Sequence, residues 1–326
     1  MNKTNLAEAK QTCEKILEAV STVFVGNKPV LKKLLAAGLS NGHVIFEDYP
    51  GLGKTLLAKV FAKVTGCQYT RIQFTPDLLP ADIVGTRIWR QKNATFELVK
   101  GPIFTQVLLA DEVNRTPPKT QAALLEAMEE RQVTIDGETH PLGTPFFVLG
   151  TQNPIEQEGT YPLPEAQMDR FMLKMSTGYA QTLEEESTIL TRRIQWRKDD
   201  PAIDVQAVMK AEDFSALQEI TENGIYIDKS ILDYVSSIVR ATREHPRIEI
   251  GASPRGGLSL LKVSRAAALI NGRDFVTPDD IKMFTTDALA HRIILKIEES
   301  LEGVNPRKII EEIVGNIPAP LEFSPR

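Results

Sequence analysis

Leu6, Ala9, Cys13, Ile16, Leu17, Val20 and Phe24 recur every three or four positions, so the chain opens on an amphipathic helix with one face to bury. A second such stretch, residues 29–39, starts at Pro29, where the missing N–H of a first helical turn costs nothing. Five candidate strands follow at residues 43–47, 69–74, 107–111, 146–150 and 171–175, with helical patterns between most of them. This alternation predicts an α/β fold: a mainly parallel five-stranded sheet wrapped on both faces. Residues 75–105 are too long for a simple crossover, and within them 85–89 and 95–99 read as a hairpin. A second hairpin, 132–135 with 138–142, turns on Asp136-Gly137, which accepts the positive φ of a tight turn. Beyond Gly178 helices take over. Thr182 with Glu185, and Thr277 with Asp280, are capping-box starts, and 228–244, 254–270 and 278–291 predict three helices of a separate bundle. The expected division is an α/β core, residues 1–178, and a smaller all-α lid domain, residues 179–326.

Composition narrows the class. With 326 residues, 42% hydrophobic and 25% charged, the chain buries enough apolar surface for two domains without staples. A net charge of −5 argues against a surface built globally for nucleic acid. Cys13 and Cys67 are isolated, and His43, His140, His245 and His291 lack ligand spacing, so neither a disulfide framework nor a structural zinc site is expected. No apolar run approaches the roughly 18 residues that span a bilayer, which predicts a cytoplasmic protein without membrane insertion.

The chemistry starts at Glu47-Asp48-Tyr49-Pro50-Gly51-Leu52-Gly53-Lys54-Thr55, between an apolar run and an apolar-periodic segment beginning at Leu56. Strand, glycine loop and helix make a phosphate cradle: successive N–H groups turn inward, the helix offers its positive end, and Lys54 adds a full charge. Thr55 places a hydroxyl where Mg²⁺ accompanies the phosphates. Asp48 stands where the G-x-x-x-x-G-K-[ST] pattern has glycine, an awkward charge unless its side chain turns away.

Residues 107–111 end in Asp111-Glu112, and on a parallel sheet that end faces the same crevice. Asp111 is expected to hold the Mg²⁺ shell directly or through water, and Glu112 to orient and deprotonate the attacking water. Thr151-Gln152-Asn153 follows the next strand, and the Asn153 amide could position that water or a γ-phosphate oxygen without adding charge. Arg170 lies at the sheet end away from the chain's own loop, as an arginine lent to a neighbouring subunit would. Arg255, at the start of a lid helix, is expected to swing over the γ-phosphate of its own subunit.

In this order the landmarks resemble the AAA+ ATPases. The run from Asn153-Pro154 through Tyr161-Pro162-Leu163-Pro164-Glu165 to Asp169-Arg170-Phe171 is similar to the MoxR family, as are residues 110–115, 125–134 and 252–255. The resemblance implies ATP and Mg²⁺ as cofactors, with Pro50, Gly51, Leu52, Gly53, Lys54, Thr55, Leu56, Val25 and Gly26 around the nucleotide. Thr55 and Asp111 would hold the metal, Asn153 would be sensor 1, Arg170 the arginine finger and Arg255 sensor 2. It also implies a homohexameric ring that remodels or activates a protein client with von Willebrand factor A domain partners. The hairpins match the helix 2 insert and pre-sensor 1 hairpin of a clade that includes magnesium chelatases and replicative helicases. Two readings stay open beside it: a nucleotide-gated scaffold with slow turnover, and a nucleic-acid or chelatase-type motor, suggested by Arg87, Arg90 and Lys92 around one hairpin.

Overall fold

The computed structural model describes residues 3–92, 94–154, 159–197 and 200–322. Residues 155–158 of the MoxR-like run and the last four residues of the tail lie outside them. Helices α1 (Lys3–Val23) and α2 (Lys28–Leu39) lead into β1 (Val44–Glu47), α3 (Lys54–Val64) and β2 (Tyr69–Gln73). A short α4 (Pro80–Val84) carries the first hairpin, β3 (Gly85–Arg90) with β4 (Thr95–Lys100). Next come β5 (Val107–Asp111), α5 (Pro118–Glu130), the second hairpin β6 (Gln132–Ile135) with β7 (Glu138–Pro141), and β8 (Phe147–Gln152). The core ends with α6 (Glu165–Met168) and β9 (Leu173–Met175).

Strands β2-β5-β8-β1-β9 form one five-stranded sheet in which every neighbouring pair is parallel. Alternation along each strand splits the core in two. Val44, Phe46, Val107, Leu109 and Leu149 join a cluster with α1, α2 and α3, whereas Ile45, Leu108, Ala110 and Val148 face α5 and the hairpins. Helix α3 shows the energetic logic: Leu57, Val60, Phe61 and Val64 recur on one stripe and are all buried, each contributing about 1.5–3 kcal/mol. An acid at Phe61 would leave an unpaired charge between α3 and the rings of Phe147 and Phe214.

The C-terminal half contains α7 (Leu183–Trp196), α8 (Ala211–Gly224), α9 (Lys229–Glu244), a strand β10 (Ile248–Ile250), α10 (Pro254–Ile270) and α11 (Pro278–Leu289). A partner strand β11 (Ile294–Leu295), α12 (Ile297–Leu301) and α13 (Pro306–Asn316) complete it. The Thr277–Asp280 capping box forms, with the Thr277 N–H donating to Asp280 Oδ2, whereas at Thr182 only the N-cap bond from the Glu185 N–H forms and the Glu185 carboxylate accepts from the Gln181 N–H instead. These C-terminal helices pack directly on the α/β core. The apolar cores of α9, α10 and α11 are continuous with the α2 side of the sheet, and Lys33 Nζ meets Asp287 Oδ2 at 2.5 Å across the junction.

Two histidines are locked neutral inside this junction. His43 Nδ1 accepts the Val148 N–H and its Nε2 donates to the Met128 carbonyl, while His291 Nε2 lies 3.0 Å from the Phe171 carbonyl. Burial holds both well below the usual histidine range, helped by Arg131 and Arg292 respectively. A depressed folded pKa means that the unfolded chain takes the proton first. Stability is therefore full above about pH 6.5 and falls below it, by about 1.4 kcal/mol per pH unit per histidine until the folded pKa is reached. Denaturation at pH 6.5 and 5.5, above the carboxylate range, should show that loss; equal stability at both would exclude it.

Candidate active site

The loop after β1 curls because Gly51 and Gly53 take positive φ of 85° and 76°, a region that side-chain-bearing residues resist. At Gly51 a Cβ would meet nothing, so the requirement there is conformational, whereas at Gly53 it would also press Phe24 at 3.3 Å. Gly53 then caps α3, and Lys54 and Thr55 begin it. Lys54 Nζ donates to the carbonyls of Asp48 and Tyr49, both at 3.0 Å. Burial lowers its pKa, against the pull of Asp48, Asp111 and Glu112.

Asp48 does turn away. Its carboxylate accepts from the Thr177 N–H at 2.7 Å, the Thr177 hydroxyl at 2.9 Å and Ser176 Oγ, so it ties the end of β1 to the segment after β9. The departure from the glycine pattern thereby becomes a structural strut, and its charge is spent on those donors.

A cavity of about 450 Å³ is lined by Gly51, Gly53, Lys54 and Thr55 together with Asp111, Glu112 and Asn153. Residues separated by some hundred positions in sequence thus share one crevice at the C-terminal ends of β1, β5 and β8. Thr151 organises its floor: its hydroxyl donates to Asp111 Oδ1 at 2.6 Å and accepts the Glu112 N–H at 2.8 Å. Glu112 sits in the left-handed region at φ 57°, a strained setting that aims its side chain out of the strand.

Thr55 and Asp111 fit a magnesium ion. They offer hard oxygen donors beside a phosphate loop, and among the described residues no cluster of three histidine, cysteine or acidic groups could cage a metal without phosphates.

Val25 and Gly26 line an adjoining cavity of about 330 Å³ that also touches Pro50, Leu52 and Leu56. Its wall is largely apolar, with Phe24, Ile189 and Trp196, and it suits a flat heteroaromatic ring. Helix α7 closes it, anchored by Arg192 Nη1 on the Ser21 carbonyl at 3.1 Å.

Arg170 and Arg255 are elsewhere. They line a separate cavity of about 320 Å³ with Glu129, Arg131, Asp169 and Arg292. Arg255 Nη2 donates to Glu129 Oε1, and Arg170 Nε lies 3.6 Å from the other oxygen of the same carboxylate. The expectation that Arg255 covers the phosphates of its own chain is not met in this arrangement: α10 starts beside Arg170, and Ser253 Oγ donates to Asp169 Oδ2 at 3.2 Å. Arg292 completes the clamp from the lid, donating to Asp169 Oδ1 and to the carbonyls of Asp169, Phe171 and Met172.

Sequence reasoning missed Arg71 and Gln73. Both rise from β2 into the phosphate cavity, where Arg71 holds Asp111 and Gln73 Nε2 donates to Glu112 Oε2 at 2.7 Å. The available signal was their spacing of two on one strand, which puts both side chains on the same face.

Comparison with known proteins agrees with this geometry. Residues 43–173 match the profile of the ATPase family associated with various cellular activities, and residues 240–313 match an AAA lid domain. Chaperone MoxR1 of Mycobacterium tuberculosis is 40% identical over 97% of this chain and 84% of its own length. This chain belongs to the MoxR family of AAA+ ATPases. An uncharacterized Bacillus subtilis protein, YeaC, is 46% identical over 95% of both chains. The crystal structure of a Cytophaga hutchinsonii protein, described provisionally as an ATPase, superposes with a TM-score of 0.89 at 42% identity over 97% of each chain. Among the described residues, no helix of this MoxR-family chain is long and apolar enough to cross a membrane.

Proposed function

We propose that this chain hydrolyses ATP with Mg²⁺ as a homohexameric ring that remodels or activates a protein client in the cytoplasm, with active sites shared between neighbouring copies. The observation that carries the reading is the separation of two cavities. One holds the phosphate loop, two acids and an amide; the other holds Arg170 and Arg255.

In this scheme the loop N–H groups and Lys54 bind the phosphates, and Thr55 and Asp111 hold magnesium, which neutralises phosphate charge when bound. Glu112 accepts the proton of the attacking water and Asn153 orients it. Arg170 and Arg255 of the next copy bring positive charge to the γ-phosphate. Von Willebrand factor A domain proteins are the expected partners, on the strength of the MoxR kinship. Nucleic acid is disfavoured by the net negative charge and because the two hairpin arginines are engaged: Arg87 pairs with Glu138 at 2.9 Å and Arg90 with Glu97 at 3.0 Å.

A nucleotide-gated scaffold with slow turnover is the second reading. It is favoured by the hold of Gln73 on Glu112, with Arg115 3.4 Å away, which occupies the carboxylate needed as a base. Turnover against protein concentration tests the shared site. ATPase rate per copy should rise steeply through the assembly range, and a rate that stays constant well below it would refute sharing.

A further inference from the structure

Asp111 is not held by Thr151 alone. Arg71 Nε and Nη2 both donate to Asp111 Oδ2, at 3.0 and 2.7 Å, and Arg71 Nη2 is steadied by Gln73 Oε1 at 2.6 Å. Arg71 lines the same cavity as Thr55, so a full positive charge stands at the carboxylate that a divalent cation needs. We propose that Arg71 is a resident counter-ion of Asp111 that competes with the divalent cation and makes metal uptake depend on the nucleotide's phosphates.

The electrostatics are direct. A guanidinium stays charged at any working pH, so it cannot yield the carboxylate by losing a proton. A dication arriving beside it meets a neutralised acid and a like charge, in a crevice screened less than open water. Phosphates supply the negative charge that tips this balance, so metal and nucleotide enter together and free metal is refused. Sequence order allows the arrangement because β2 and β5 are neighbours with Arg71 opposite Leu109, two residues before Asp111. Arg71 is thus a positioning residue that sets metal affinity through Asp111.

The inference rests on reading the cavity as a magnesium–nucleotide site, and the test separates the two. Mn²⁺ uptake in saturating ADP, followed by electron paramagnetic resonance, needs no turnover. R71Q, which keeps hydrogen-bonding capacity but removes charge, should lower the half-saturating Mn²⁺ concentration about three- to tenfold. R71K should stay near wild type, and the R71Q effect should vanish in a D111N background, where no carboxylate remains to contest. An unchanged or raised midpoint in R71Q would overturn the proposal by making Arg71 a mere orienter of Asp111. So would a loss of about tenfold or more in metal-free ADP affinity, which would make it a phosphate ligand. If the wild-type chain takes up no Mn²⁺ with ADP, the reading of the cavity itself fails; uptake without a shift sinks only the role of Arg71.

Discussion

Arg170→Ala should lower kcat by about 10³-fold or more while leaving nucleotide affinity within about a factor of two. Within one chain the Arg170 guanidinium faces Glu129 and shares a cavity with Arg255, and neither arginine lines the phosphate cavity. On the shared-site reading its removal acts on hydrolysis through a neighbouring copy. Arg170→Lys should recover a part of the loss, since it restores charge without the planar fork. The decisive measurement is complementation. Arg170→Ala copies carry an intact Glu112, and Glu112→Gln copies carry an intact arginine, so an equal mixture makes about a quarter of its interfaces whole. Turnover in the mixture well above the sum of the two inactive proteins is the expected result. Mixing with no gain would mean that each site is built from a single chain.

The core was legible because its signals are local and physical. Five candidate strands formed, within one or two residues at their ends, since four of them are apolar runs largely buried in the sheet; the edge strand β2 keeps only Ile72 buried. The two hairpins were readable from their turns, with Asp136 and Gly137 at φ 49° and 84° as a tight turn demands. The phosphate loop and the acids at the end of β5 were readable for the same reason: each is a short segment whose chemistry depends on neighbours in sequence. Arg255 was not, because its place depends on how the lid docks. That docking is set by Arg292, Asp169 and Lys33 with Asp287, pairs formed across more than a hundred residues. Helix α7 hid its contribution as well. Leu183, Leu190 and Ile194 are exposed, and Ile189, which lines the cavity with Trp196, is itself 40% exposed, so its apolar residues mark no buried face. Arg71 escaped notice because a charged residue in a strand says that it has a partner and not which one.

Glu112→Gln should reduce turnover by about 10²- to 10⁴-fold, the range for loss of a general base, and leave MgATP bound. The substitution is close to isosteric, and the amide oxygen can still accept from Gln73 Nε2, so the cavity wall is preserved. The Glu112 N–H keeps its bond to Thr151, and with it the placement of Asp111. What disappears is the capacity to take a proton, together with the charge that Arg115 faces at 3.4 Å. This separates the two functional readings by what accumulates with the protein. A ring that works by cycling should freeze in its ATP form and retain client and von Willebrand factor A partner, so that both co-purify with Glu112→Gln in ATP and leave in ADP. A scaffold that reports occupancy gains nothing from the loss of the base, and its partner content in ATP should match wild type. The hold of Gln73 on Glu112 sharpens the choice. If that bond keeps wild-type turnover slow, Glu112→Gln will change hydrolysis by less than about tenfold, below the range for a working base, and the scaffold reading will stand.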